Sequence, residues 1–416
     1  MRWKTTTAVT VTALVGWALA ATTEIRTYSR WMASSIISRG QGIMTGSGGS
    51  SELLQAGITQ KAFTALVAQY PDDAEFAQKV RGYISASAAS VAPFVQNATY
   101  DALSYPMDRL SNGNALLSLS SINAGYGLGN SSTLRAAAES LRRSIDLNRR
   151  NNESGLWYFV YPEWSYLDGM YSLAPYYTLY TLAVTETQMA EVNTTALDDM
   201  LLQLELLWRH THNETSGLLV HGYDESRRAV WANPETGASP HVWGRSLGWF
   251  AMALVDTLEI LSGTENARLY DKYTTRLREM YQSLASALIS SADPATGAWW
   301  QVLDQPGRQG NYIESSGSAM FAYALMKGTR LGYLGGLSIA ATAPVMGTKA
   351  RTYLTESFVV DNGNGTLGYN GTVSVCSLNS SATYEYYVGQ PINYNSVLGS
   401  AAYVLASLEA ERLGNQ

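Results

Sequence analysis

Apolar residues return every three or four positions through most of this 416-residue chain, the spacing that lays one face of an α-helix against a core. The pattern predicts about twelve amphipathic helices, starting near Thr23, Leu53, Asp73, Asp108, Ser132, Tyr166, Asn193, His241, Glu265, Glu314, Pro344 and Tyr394. No proline- or serine-rich linker and no change of composition interrupts the series, so residues 21–416 read as one domain.

The segments joining these helices repeat. Asn152-Glu153-Ser154-Gly155-Leu156-Trp157 leads through a short strand-like run to Tyr166-Leu167-Asp168 and a helix. Asn213-Glu214-Thr215-Ser216-Gly217-Leu218 leads likewise to Trp243-Gly244-Arg245, and Asp293-Pro294-Ala295-Thr296-Gly297 to Asn311-Tyr312-Ile313-Glu314. A weaker copy runs from Asn364-Gly365-Thr366 to Asn393-Tyr394-Asn395. In each, Asn or Asp caps a turn and Gly is available for positive φ. Repetition of helix, turn, strand and helix predicts helical hairpins set around an axis. Twelve helices make six hairpins: an all-α, (α/α)6 barrel with alternating inner and outer helices and short β-strands in the loops at one end. The chemically distinctive residues start every second helix, which gathers them at one end of the inner ring. Helix N-termini there offer free N–H groups and partial positive charge to an anionic ligand.

Composition narrows the classes. With 46% hydrophobic and 15% charged residues, the chain can bury one large core. A net charge of -6 without a basic run argues against nucleic acid. Residues 1–20 read as an export signal: Arg2 and Lys4, an apolar run from Ala8 to Ala20, and Ala18-Leu19-Ala20 as the cleavage site. No other segment is long and apolar enough to span a membrane. N-x-S/T sequons at Asn97, Asn130, Asn152, Asn193, Asn213, Asn364, Asn370 and Asn379 fit a secreted, extracellular glycoprotein. Cys376 is the single cysteine, so no disulfide or thiolate metal cluster is expected within the chain, and the thiol is expected to be buried and inert. Nothing calls for an obligate protein partner.

Candidate chemistry lies at the inner-helix starts. Asp168 opens an almost uncharged, aromatic helix, where partial desolvation would suit a general acid; it could equally be a helix cap. Asp108 could be the second carboxylate of a pair, a cap, or the ion-pair partner of Arg109. Glu314 and Asp304 are weaker acidic candidates. Trp243-Gly244-Arg245-Ser246-Leu247-Gly248-Trp249 offers flat apolar platforms, a guanidinium able to clamp a carboxylate, and glycines permitting close approach. His210, His212, His221 and His241 make no metal triad, so neither metal nor other cofactor is expected.

At these residues the chain resembles glycoside hydrolase family 105, the unsaturated rhamnogalacturonyl hydrolases, and more distantly the unsaturated glucuronyl hydrolases. The matching stretches are Tyr166 to Tyr171, His221-Gly222-Tyr223-Asp224, Trp231 to Trp249, Trp300 to Asp304 with Asn311 to Ser315, and Glu385-Tyr386-Tyr387. The resemblance implies an (α/α)6 barrel. It also implies an oligosaccharide substrate whose non-reducing uronic acid carries a C4=C5 double bond, removed by hydration of that bond. Asp168 matches the family's acid/base position and Asp108 its second carboxylate. Tyr166, His221, Trp243, Arg245 and Trp249 match substrate-binding stretches, with Arg245 expected to engage the uronate. The chain departs from the family pattern at Tyr166, where Trp is usual, at Ser172, between Val375 and Thr383, and at Asn393-Tyr394-Asn395-Ser396. Three rivals stand: an unsaturated glucuronyl hydrolase on another polysaccharide, an ordinary inverting glycosidase, and a carbohydrate-binding relic without catalysis.

Overall fold

The computed structural model describes residues 27–46, 51–120, 131–188, 194–264 and 267–414. The expected signal segment and the helix starts near Thr23, Asn193 and Glu265 lie outside them. The helices are α1 (Tyr28–Ser38), α2 (Glu52–Gln69), α3 (Ala74–Val91), α4 (Ala98–Ser104), α5 (Gly113–Ser120), α6 (Ser131–Asp146) and α7 (Asp168–Gln188). They continue with α8 (Thr194–Thr211), α9 (Gly244–Ser262), α10 (Asp271–Ser291), α11 (Ser315–Arg330), α12 (Leu337–Phe358), α13 (Tyr384–Val388) and α14 (Val397–Gly414). A 3-10 turn, Met107–Asn112, runs directly into α5.

Six of these elements close a ring. Helix α2 packs on the 3-10 turn that begins α5, that turn on α7, α7 on α9, α9 on α11, α11 on α14, and α14 back on α2. Each has an outer partner: α3 on α2, α6 on α5, α8 on α7, α10 on α9, α12 on α11 and α1 on α14. The architecture is the (α/α)6 barrel that the repeat predicts. Inner helices are buried on nearly every face; in α11 the buried run is unbroken from Ser315 to Gly328. Such helices lose the polar stripe that outer helices keep. Helices α9 and α11 come close because a side chain is missing where they cross. A Cβ on Gly248 would stand 2.9 Å from Cβ of Met320, and one on Gly317 2.9 Å from the carbonyl carbon of Gly244.

The repeated turns share one geometry. At Asn213 and Asp293 the side chain accepts the N–H three residues on, Ser216 and Thr296, and the residue after that is Gly with φ of 72° and 74°. Asn233-Pro234-Glu235-Thr236-Gly237 is a further copy that the repeat reading passed over, with Gly237 at φ 76°. The first copy differs: its turn starts one residue earlier, at Asn151, and the positive φ falls on Ser154, not Gly155. Gly155 is needed instead because a Cβ there would stand 2.8 Å from the Tyr223 hydroxyl. After these turns come β1 (Trp164–Tyr166) and β2 (Gly222–Asp224), paired antiparallel with Trp164 opposite Asp224. A second pair joins β3 (Val359–Asp361) to β4 (Leu367–Tyr369).

One helix expectation is corrected. Helix α12 begins at Leu337, and Pro344 lies within it. Proline suits a first turn, but here packing decides: Ala343, Gly347, Ala350 and Leu354 are buried along one stripe, so the lost backbone hydrogen bond is tolerated. The short helices α4 and α13 are too brief to give a periodic signal. Above the main core, which reaches from α1 to α14, a smaller cluster of Tyr166, Trp231, Trp243, Val373, Cys376, Leu378 and Tyr387 forms the base on which the site is built.

Candidate active site

A cavity of about 130 Å³ lies at the end of the barrel where the inner helices start. Ser51 just before α2, Leu54 of α2, Asp108 of the 3-10 turn, Asp168 of α7, Arg245 and Trp249 of α9 and Leu398 of α14 all line it. Tyr158, Phe159, Tyr161, Tyr166 and Trp243 add aromatic wall, and Val375, Cys376 and Ser377 close one side. The barrel thus brings together side chains separated by nearly 350 positions of chain.

Asp108 is 5% exposed. Its Oδ2 accepts a hydrogen bond from the Tyr158 hydroxyl at 2.9 Å, while buried Oδ1 has no partner. Burial raises this carboxyl to about 7, helped by the Asp168 charge and opposed by Tyr158 and Arg109. The ion pair with Arg109 does not form. That guanidinium turns away to Ser144, Asn148 and the Tyr105 carbonyl, anchoring the 3-10 turn to α6.

Asp168 is the first residue of α7, where the helix end favours a carboxylate. Its Oδ2 accepts a short hydrogen bond from the Ser246 hydroxyl, and His221 Nε2 lies 3.2 Å from the same oxygen. Nδ1 of His221 meets the Tyr387 hydroxyl at 2.8 Å. His221, expected among the substrate-binding residues, is fully buried among the rings of Tyr166, Trp243 and Tyr387 and lies behind Asp168.

Arg245 lines the cavity, but its guanidinium is already committed. It donates to the carbonyls of Val373 and, at 2.8 Å, Ser374. It lies over the Trp243 ring at 4.9 Å. We expect Arg245→Lys, which keeps the charge but loses the fork, to release the Val373–Ser377 wall. Faster hydrogen–deuterium exchange confined to that segment is the expected reading.

Tyr166 stacks on Tyr158 at 4.3 Å, so it supports the wall as well as lining it. Trp243 and Trp249 line the cavity but are each only 1% exposed. Glu314 caps α11 through the Gly317 N–H and also accepts from the Val373 N–H. Asp304 holds the Val242 N–H and His241. Both are structural. The Cys376 thiol is buried in the wall and pushed up to about 12, chiefly by desolvation, so it is a weak nucleophile.

Tyr158, Phe159, Tyr161, Ser246 and Tyr387 were not foreseen as site residues. The aromatic density of Trp157-Tyr158-Phe159-Val160-Tyr161 was the available signal for the first three. Ser246 carries none, being one hydroxyl inside a conspicuous motif.

Two buried carboxylates facing one small aromatic cavity can exchange a proton with a bound sugar. The described residues also hold no group of three or more His, Cys, Asp or Glu side chains suited to a metal ion.

Comparison with known proteins identifies the family. Over 203 residues the chain is 40% identical to a 24.9 kDa protein in the picA locus of Rhizobium radiobacter, covering 47% of this chain and 83% of that one. A family 105 glycoside hydrolase from C. acetobutylicum superposes with a TM-score of 0.76 at 30% identity, over 93% of this chain and 100% of the other. An unsaturated glucuronyl hydrolase from Bacillus sp. GL1 shares the fold, with a TM-score of 0.61 at 13% identity over 93% and 95% of the two chains. The sequence profile of Glycosyl Hydrolase Family 88 matches residues 54–414. The chain therefore belongs to Glycosyl Hydrolase Family 88, is a glycoside hydrolase, and is akin to the family 105 enzymes.

Proposed function

We propose that the protein removes a non-reducing-end 4,5-unsaturated uronic acid from lyase-generated rhamnogalacturonan oligosaccharides by hydrating the C4=C5 bond. The observation that carries this reading is the pair Asp108 and Asp168 in one enclosed cavity, the first held neutral up to about 7 while its neighbour's charge helps to keep it so. The two carboxyls hold one proton between them up to about 7; delivered from Asp168 it goes to C4, a water oxygen bonds to C5, and the ionised pair takes the proton that water gives up. The hemiketal then opens and releases the next sugar. No leaving group is displaced at C1, so no carboxylate is needed on its far side. A cavity of about 130 Å³ suits one terminal ring. The export signal and the sequons support action outside the cell: the six sequon asparagines among the described residues are all exposed.

The test follows the ultraviolet band of the enol ether with lyase-generated rhamnogalacturonan and glucuronan-type fragments in parallel. Faster loss on the rhamnogalacturonan fragments is the expected outcome. Faster loss on the others would move the assignment to an unsaturated glucuronyl hydrolase. A persistent band with cleavage of saturated sugars would make it an ordinary glycosidase.

The pair also sets the pH dependence. Because the Asp108 carboxyl is raised, the pair keeps its last proton up to about 7, and kcat is expected to fall as pH rises through that value. Tyr158→Phe removes a hydrogen bond that favours ionised Asp108 and keeps the ring stacked on Tyr166. The falling limb should therefore move up by about one pH unit, since a hydrogen bond to a charged group contributes roughly that much. A limb left in place would remove Tyr158 from the titration.

A further inference from the structure

We propose that Ser246 is a positioning residue for the proton transfer, its hydroxyl holding the Asp168 carboxylate in the orientation that faces the substrate. The inference rests on the function proposed above. Ser246 lies two residues into α9, is fully buried, and gives its short hydrogen bond to Oδ2 of Asp168 across the seam between α9 and α7. The other acceptor within reach, the His221 carbonyl, is at 3.4 Å, so the single hydroxyl proton goes to the carboxylate. His221 Nε2 lies 3.2 Å from the same oxygen without closing a hydrogen bond, so the Ser246 hydroxyl is the group that fixes Oδ2. Oδ1 is the oxygen left for the substrate. The serine's value to the fold is small, because alanine fits the same space and favours a helix. Its value to the reaction is angular: a carboxylate free to rotate spends less time aimed at C4.

The groups around Asp168 are Asp108, Tyr158, Tyr166, His221, Arg245, Tyr387 and Cys376. Burial carries the three tyrosines far above neutral and the thiol to about 12. An arginine keeps its charge throughout. The rate profile near neutrality therefore reports the carboxylate pair, through the Asp108 carboxyl raised to about 7.

The experiment compares wild type, Ser246→Ala and Ser246→Thr across pH, using the lyase-generated fragments. Ser246→Ala is expected to lower kcat by about 10- to 100-fold with KM within about twofold. Ser246→Thr, which restores a hydroxyl, should recover most of the loss. A kcat unchanged in Ser246→Ala would overturn the proposal. A second arm needs no substrate. Unfolding midpoints of Ser246→Ala, Asp168→Ala and the double variant should show coupling between the two side chains. Absence of coupling would sink the Ser246 role even if the enzyme acted on a different sugar, whereas coupling without turnover would count against the proposed substrate alone.

Discussion

Asp168→Asn is expected to fold like the wild type and to lose turnover of unsaturated uronides by about 100- to 10,000-fold, the usual contribution of a positioned general acid. The amide is the same size as the carboxyl and can still accept from Ser246, so the start of α7 keeps its contact with α9. What it cannot do is give a proton to C4. The measurement is loss of the enol-ether absorbance under single-turnover conditions, with the unfolding midpoint as the control for folding. Near wild-type rates would assign the proton to another group, and Asp108, protonated up to about 7, would be that group. Binding that persists without turnover in both the wild type and Asp168→Asn would instead describe a carbohydrate-binding relic. The pair is expected to act as a unit, so losses from Asp108→Asn and Asp168→Asn should not add.

The largest expected effect on stability lies at the other end of the barrel. Lys327 of α11 stands 2.6 Å from Asp256 of α9, 2.6 Å from Glu259 and 2.8 Å from the Tyr323 hydroxyl; Lys61 of α2 meets the other Asp256 oxygen at 2.6 Å. One buried carboxylate thus ties three inner helices beside a cavity of about 340 Å³. Burial alone would raise the Asp256 carboxyl, but Lys327 and Lys61 outweigh it and hold it at about 2. Asp256→Ala leaves a buried ammonium without its main partner, and removing one member of such a pair costs about 3–5 kcal/mol. Denaturant unfolding should show this directly. A pH series supplies a second check. A carboxyl depressed from 3.8 contributes stability above that value and loses it as pH falls through about 2. The wild type should therefore lose stability between about pH 4 and 2 with a slope that Asp256→Ala lacks. Replacing Asp256 and Lys327 together with apolar residues should recover much of the loss, because the desolvation cost of both charges disappears.

Local patterns carried the architecture because they repeat. Period-3.6 apolar spacing located the helices, and the Asn/Asp-to-Gly turns revealed the hairpin unit, from which six hairpins and a site at the inner-helix starts follow. The pattern lost precision where packing outranks local preference. Pro344 lies inside α12 because a buried stripe of small residues holds that helix to α11. At Gly155 the glycine answers a neighbour's hydroxyl instead of a turn dihedral.

Asp168 stood out in the sequence as a carboxylate opening an apolar, aromatic helix and Asp108 as one at the start of an inner helix, but whether each was cap, ion pair or acid depended on neighbours from other helices. Tyr158 lies 50 residues from Asp108 and Ser246 78 residues from Asp168. Arg245 looked like a clamp for the substrate, yet its donors go to carbonyls more than 120 positions away. His221 matched a substrate-binding stretch, yet three aromatic rings enclose it. By itself the sequence determined the repeat, the barrel and the residue types that could do the chemistry, because these depend on spacing along the chain. Only the tertiary structure decided which groups are desolvated, which hydrogen bonds are already taken and which oxygen is left free, because those depend on what the closed ring brings within 3 Å.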